Sequence, residues 1–276
     1  MAKLCALSKV NVRRPIKVSC RQAHKPDGSK TVTSGAYAPP MLRPVLAAIA
    51  LSVLAGGAGA ASIAPRSLDI LTPEQIDPSR ILPPPPALDS GIQAAEMAEL
   101  HRIQAERSQA RLNQAAWDDQ HQDWRLFVQQ LGPKFDMAAL PATAKVMRAV
   151  SHDMGIVSVR AKDYFKRPRP WVTDLSLKGC PISADTDPWS SYHSGHTLYA
   201  FSAGVVLAGL MPDRAQTILE RAQDFGYSRM VCGVHYRSDV AAGEAIGTII
   251  GHDMLNSPKM QADLAAARAE LKAAGF

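Results

Sequence analysis

Apolar residues in this chain recur at helical spacing and almost never alternate. From Ser90 to about Gln130, in a stretch rich in Ala, Glu, Gln and Arg, the residues Ile92, Met97, Leu100, Ile103, Ala110 and Leu112 fall roughly on one stripe, as an amphipathic helix requires. Gly132-Pro133 ends it. A second stretch runs from about Met137 to Lys166, interrupted or restarted near Pro141, with Met147, Val150, Met154 and Val157 as its apolar face. Pro168 and Pro170 stop it, because the residue before a proline is driven out of the α region. Residues 171–192 read as a loop. Thr197 to Met211 is almost wholly apolar, which fits a buried helix and falls short of a membrane span. Helices follow over Arg214 to Val231, Asp239 to Leu255, and residues 258–275. With no alternating segment of useful length and no internal repeat, the expected fold is all-α. It is a single-domain helical bundle over residues 89–276, preceded by an extended Pro-rich strap over residues 61–88.

The N-terminal pattern is different. Residues 41–60, MLRPVLAAIALSVLAGGAGA, combine a short basic start, an apolar run from Val45 to Leu54 and the small residues Ala58-Gly59-Ala60. This is the form of a secretory signal peptide cut near Ala60, with an uncleaved anchor as the alternative. Residues 1–40 are basic, rich in Pro and Ser, and without apolar period. They are expected to be a non-native or disordered extension with Met41 as the true start, or else an unusually long leader. The expected location is periplasmic or secreted, with no stable membrane insertion of the mature chain.

Charge then narrows the partner. The whole chain carries a formal +6. Residues 1–60 contribute +8 of charge, so residues 61–276 stand at −2. A mildly acidic folded part argues against a nucleic-acid-binding face. Its cations are local equipment. Removing the leader also leaves only Cys180 and Cys232 of the four cysteines. In an exported chain an even pair suggests a disulfide; two buried thiols are the alternative. No Cys/His spacing resembles a zinc site.

Three segments carry the candidate chemistry. His235 and Asp239 are four apart, so on a helix they share a face. The carboxylate can fix the imidazole tautomer and leave the other nitrogen as a nucleophile. Arg229 precedes them by six residues. Lys162 and Arg169 are seven apart and can reach one pocket, the guanidinium as a bidentate oxyanion ligand and the ammonium as a point charge. Ser194-Gly195-His196 opens the long apolar helix. Its first N–H groups form an anion site, Ser194 can add a hydroxyl donor, and His196 can serve as a general acid. Read singly, each segment is also a common surface feature: a helix-surface ion pair, a solvated basic turn, a capping Ser-Gly.

Together the pattern Lys-x6-Arg-Pro, Ser-Gly-His and Ser-Arg-x5-His-x3-Asp resembles that of the phosphatidic acid phosphatase type 2 and vanadium haloperoxidase superfamily. Within it, the chain is most similar to the class A bacterial non-specific acid phosphatases. The likeness extends to the Leu82–Ala87 strap, Ala161-Lys162-Asp163-Tyr164, the Cys180 loop and Cys232-Gly233. It implies an all-α acid phosphatase acting on small phosphate monoesters through a phosphohistidine, with no metal and no cofactor, and with phosphotransfer as a side activity. It implies His235 as nucleophile, Asp239 as its orienting partner and His196 as general acid. Lys162, Arg169, Arg229, Ser194 and Gly195 would bind phosphate. It allows a homo-oligomer. A vanadate-dependent haloperoxidase using the same pocket is the alternative reading. One departure stands out: the family usually has Pro where this chain has His193, which loses a fixed φ and adds a titratable group beside the pocket.

Overall fold

Local chemistry sets most helix limits in the computed structural model, which describes residues 67–276. In chain order the helices are α1 (Pro78–Ile81), α2 (Gly91–Glu106), α3 (Gln109–Gln120), α4 (Val128–Leu131), α5 (Pro141–Phe165), α6 (Pro170–Thr173), α7 (Gly195–Leu210), α8 (Ala215–Val231), α9 (Arg237–Asn256) and α10 (Gln261–Ala273). There is no strand among the described residues. The all-α expectation therefore holds. The leader, the signal segment and the first residues of the strap lie outside the described residues.

Serines start three of the helices. The side chains of Ser90, Ser108 and Ser194 each accept the N–H three residues on, satisfying one of the donors that a helix start leaves unpaired. Ser108 explains the first departure from the expected pattern. The stretch read as one helix from Ser90 is two helices, because Ser108 caps a new one directly after Glu106-Arg107. The stripe also shifts. Ile92 is 64% exposed, and the buried face of α2 is Gln93, Glu96, Leu100 and Ile103. That face meets a buried arginine as well as apolar neighbours. A short α6, with Pro170 at its first position, lies in the segment read wholly as loop.

Helix α7 lies in the centre of the core, with nearly every side chain from Gly195 to Leu210 buried. Helix α9 approaches it along Gly243, Gly247 and Gly251. A Cβ on Gly243 would stand 2.7 Å from the Ser194 carbonyl, and one on Gly247 2.7 Å from that of Leu198. The glycines are what permit this spacing.

Two carboxylates tie α5 to its neighbours. Glu270 of α10 accepts the N–H groups of Ala142 and Thr143 at 2.9 and 2.8 Å, capping the start of α5. Buried Asp153 accepts the N–H groups of Asp69, Ile70 and Leu71 at 2.8, 3.0 and 2.8 Å. The strap is thereby fixed to α5, and Leu71, Ile76 and Leu82 enter the core.

Candidate active site

A cavity of about 450 Å³ opens where five parts of the chain meet. Helix α5 delivers Lys162 and, one turn earlier, Ser158. The segment after it delivers Arg169. The N-terminus of α7 delivers Gly195 and His196. The last turn of α8 delivers Arg229, and the turn into α9 delivers His235. Of the eight residues singled out from the sequence for catalysis or phosphate binding, these six line the cavity. Ser194 and Asp239 stand behind the wall.

The three cations are desolvated and close. Arg169 Nη1 lies 3.2 Å from His235 Nε2 and donates to the Val234 carbonyl at 3.1 Å. Its other nitrogens donate to the Asp187 carbonyl at 3.2 Å and to Ser190 Oγ at 3.1 Å. Arg229 Nη1 lies 2.6 Å from Asp119 Oδ1. Burial pulls Lys162 down to about 8, with repulsion from Arg169 and Arg229 adding to it. Burial and then Arg229 bring Arg169 down to about 10. Depressed cations at this range are a receptor waiting for a negative charge. An oxyanion between them removes the repulsion and supplies the missing acceptors.

Both histidines in the wall are held neutral. Burial, then Arg169, Arg229 and Lys162, push His235 well below its ordinary value. Burial, then Arg229, do the same to His196. His196 Nε2 lies 3.0 Å from the Asp119 carbonyl. A carbonyl only accepts, so Nε2 carries the hydrogen and Nδ1 is the nitrogen free to exchange a proton.

Asp239 departs from the expected geometry. His235 precedes α9, so the pair does not share a helix face. Asp239 is instead the third residue of α9 and closes a capping box with Tyr236. Its Oδ2 is 3.5 Å from His235 Nδ1, at the limit of a hydrogen bond. The carboxylate is engaged by Arg167 at 2.6 Å, Ser191 Oγ at 2.6 Å and the Tyr236 N–H at 2.8 Å. Ser194 is likewise a linker. Its N–H donates to the Asp239 carbonyl at 2.9 Å, and its hydroxyl, read as a phosphate donor, accepts from Thr197 Oγ1 at 3.0 Å.

Two functional groups escaped the sequence reading. Arg167, inside the segment that supplied Lys162 and Arg169, is buried and joins Asp239 to Glu96 of α2 at 2.8 Å, over the Tyr236 ring at 4.1 Å. Gln93 and Glu96 lie off the apolar stripe read from the sequence, so nothing local marked it. Asp119 binds Arg229 through its carboxylate and His196 through its carbonyl, so one residue at the end of α3 places two groups of the site. An Asp-Asp pair in a polar stretch gives no local signal of that. His193 is fully buried behind the wall, with neither ring nitrogen partnered, and burial pushes it down to about 4.

Cys180 and Cys232 form a disulfide, with Cα atoms 4.7 Å apart. The alternative of two free thiols is thus removed. A Cβ on Gly179 would fall 1.7 Å from the Cys232 carbonyl, so glycine is required for the two segments to meet. The bridge ties the loop carrying Pro181 and Ile182 to the segment between Arg229 and His235.

Several known proteins are similar to this chain. Residues 147–261 match the PAP2 superfamily. The chain is 31% identical over 203 residues to a non-specific acid phosphatase of Salmonella typhimurium, spanning 72% of this chain and 81% of that protein. It is 34% identical over 211 residues to an acid phosphatase of Zymomonas mobilis, spanning 72% and 76%. Among solved structures, Aquifex aeolicus LpxE aligns with 58% of this chain and 94% of its own, at 22% identity and a TM-score of 0.47. The chain belongs to the PAP2 superfamily and, within it, to the bacterial non-specific acid phosphatases, a family of phosphatase hydrolases.

Proposed function

We propose that this enzyme hydrolyses phosphate monoesters of broad range through a phosphohistidine on His235. The observation that carries the reading is a neutral imidazole in the cavity wall with its Nε2 3.2 Å from Arg169 and its ring in the field of Arg229 and Lys162. Lys162, Arg169, Arg229 and the first N–H groups of α7 receive the phosphoryl oxygens. Nε2 attacks phosphorus, the bond to the alcohol oxygen breaks, and that oxygen takes a proton from His196 Nδ1. Water then attacks the phosphohistidine, His196 recovers the proton, and the electron pair of the P–N bond returns to Nε2. An alcohol in place of water gives phosphotransfer.

The electrostatics support work in acid. His235 stays unprotonated well below its ordinary range, so the nucleophile survives acidic conditions. His196 needs the opposite state. A bound phosphate offsets the Arg229 charge and so favours the protonated acid when substrate arrives. Charge on the transferring group is met by side-chain cations, and the mechanism uses no metal. The disulfide fits an oxidising compartment, in keeping with export as a periplasmic or secreted enzyme. No helix among the described residues is long and apolar enough to cross a membrane.

The test is para-nitrophenyl phosphate hydrolysis in EDTA by wild type and His235→Ala. Wild-type activity should persist in EDTA, be inhibited by vanadate, and fall by at least about a thousandfold in the variant. Activity retained in His235→Ala removes the nucleophile assignment. His196→Ala should lose far more on alkyl than on aryl esters, because a good leaving group needs less acid assistance. Peroxide-dependent halide oxidation by vanadate-loaded protein would favour the haloperoxidase reading instead.

A further inference from the structure

We infer that, within its broad range, this cavity favours monoesters of uncharged, carbon-rich alcohols over esters that carry a second phosphate. The inference rests on the phosphatase reading and adds a substrate class to it. Every cation in the cavity wall is directed at a single phosphoryl group. Arg229 is paired with Asp119, and Arg169 is fixed by its contacts with Val234, Asp187 and Ser190. No lysine or arginine remains in the wall for another phosphate.

The rest of the wall carries no cation. Beside the uncharged polar residues Gln122, Ser158, Ser183 and Thr186, Met154 of α5 and Pro181 and Ile182 of the disulfide-anchored loop present carbon to the cavity. Ile182 is 43% exposed there, an apolar surface that an alkyl or aryl group can cover. Farther along the same loop stand Asp185 and Asp187, both exposed, and no cation. Asp187 is close enough to Lys162 and Arg169 to oppose the repulsion between them. A second phosphate tethered to the alcohol would meet these carboxylates at the rim, where like charges repel. A hydrocarbon chain meets Ile182.

Matched esters separate the two contributions. Heptyl phosphate and 2-(2-methoxyethoxy)ethyl phosphate have chains of equal length and differ in polarity. Heptane-1,7-diol bisphosphate adds only the remote charge. For the wild-type full chain, kcat/KM should favour heptyl phosphate over the ether by about fivefold or more. It should favour heptyl phosphate over the bisphosphate by about tenfold or more. Ile182→Ser should bring the first ratio to near unity, and Asp185→Asn should narrow the second while leaving methyl phosphate hydrolysis unchanged. Wild-type ratios near unity, or ratios untouched by the variants, overturn the inference. The matching phosphonates, measured by titration calorimetry, report the same two preferences without turnover. If no ester is hydrolysed but the phosphonates keep these ratios, the phosphatase reading fails and the wall assignment stands. If hydrolysis proceeds without them, the reverse holds.

Discussion

Lys162 is held at about 8 by its burial and by Arg169 and Arg229, so its charge is lost within reach of ordinary assay conditions. Below about 8 it is an ammonium and helps hold phosphate. Above that it becomes a neutral amine, and one of three attractions disappears. The inhibition constant for inorganic phosphate should therefore rise as pH passes through 8. Lys162→Arg should move that limb to higher pH, since a guanidinium keeps its proton. A phosphate affinity flat from pH 7 to 9.5 in wild type would rule this out. His193 acts on stability. Its folded value of about 4 lies below the ordinary 6.5. Above 6.5 neither folded nor unfolded chain binds the proton. Between 6.5 and 4 only the unfolded chain does, so stability falls as pH falls through that window. At about 1.4 kcal/mol per pKa unit the loss reaches about 3 kcal/mol. His193→Gln should flatten the decline, as read by thermal denaturation at pH 4.5 and 7.5. His196 and His235 add a loss of the same sign, so the variant retains part of the slope.

At the level of elements, α9 sets the position of the anion-receiving end of α7. The Cβ that alanine would place at Gly247 meets the Leu198 carbonyl at 2.7 Å and Phe201 Cβ at 2.9 Å. Both belong to the rigid body of α7, so the helices must separate. Gly247→Ala should cost roughly 1–3 kcal/mol and raise KM for small esters more than a surface Gly→Ala does. Urea denaturation with parallel kinetics measures both. The sequence made most of these elements legible because their limits are local. Proline at the first turn of α5 and serine caps on α2 and α7 need no knowledge of the fold, whereas the Ser108 cap that divides α3 from α2 was passed over. Long-range placements were not legible. Spacing alone put His235 and Asp239 on one helix face, but Gly233, at φ +68° after the end of α8, turns the chain so that α9 starts beyond His235. The three cations and two histidines could be gathered from short motifs. Arg167 and Asp119 could not, because their partners come from α2 and from the ends of α7 and α8, a distant choice that leaves no periodic mark.

Across the whole molecule, one covalent bond spans the segment that contains much of the site. Cys180 and Cys232 are 52 residues apart, and the loop they close includes Ser194, His196 and Arg229. Chain entropy alone assigns such a closure about 4 kcal/mol. The double variant Cys180→Ser/Cys232→Ser should lose up to that amount in denaturant unfolding, with reduction of the wild type producing the same change. Equal stability of both forms would show that the unfolded chain is already compact here. The charge of the molecule is divided in a related way: residues 61–276 are slightly acidic, while three buried cations share one small cavity. An anion is therefore drawn to the cavity.

Arg169 carries a kinetic consequence of its own. Backbone carbonyls and Ser190 already fix its guanidinium before any ligand enters, so docking a phosphoryl group orders very little that was free. The same advantage extends to the departing inorganic phosphate, which meets an undisturbed receptor and gives back no conformational freedom by staying. Escape of the product, rather than the chemical steps of the proposed mechanism, is then expected to limit turnover.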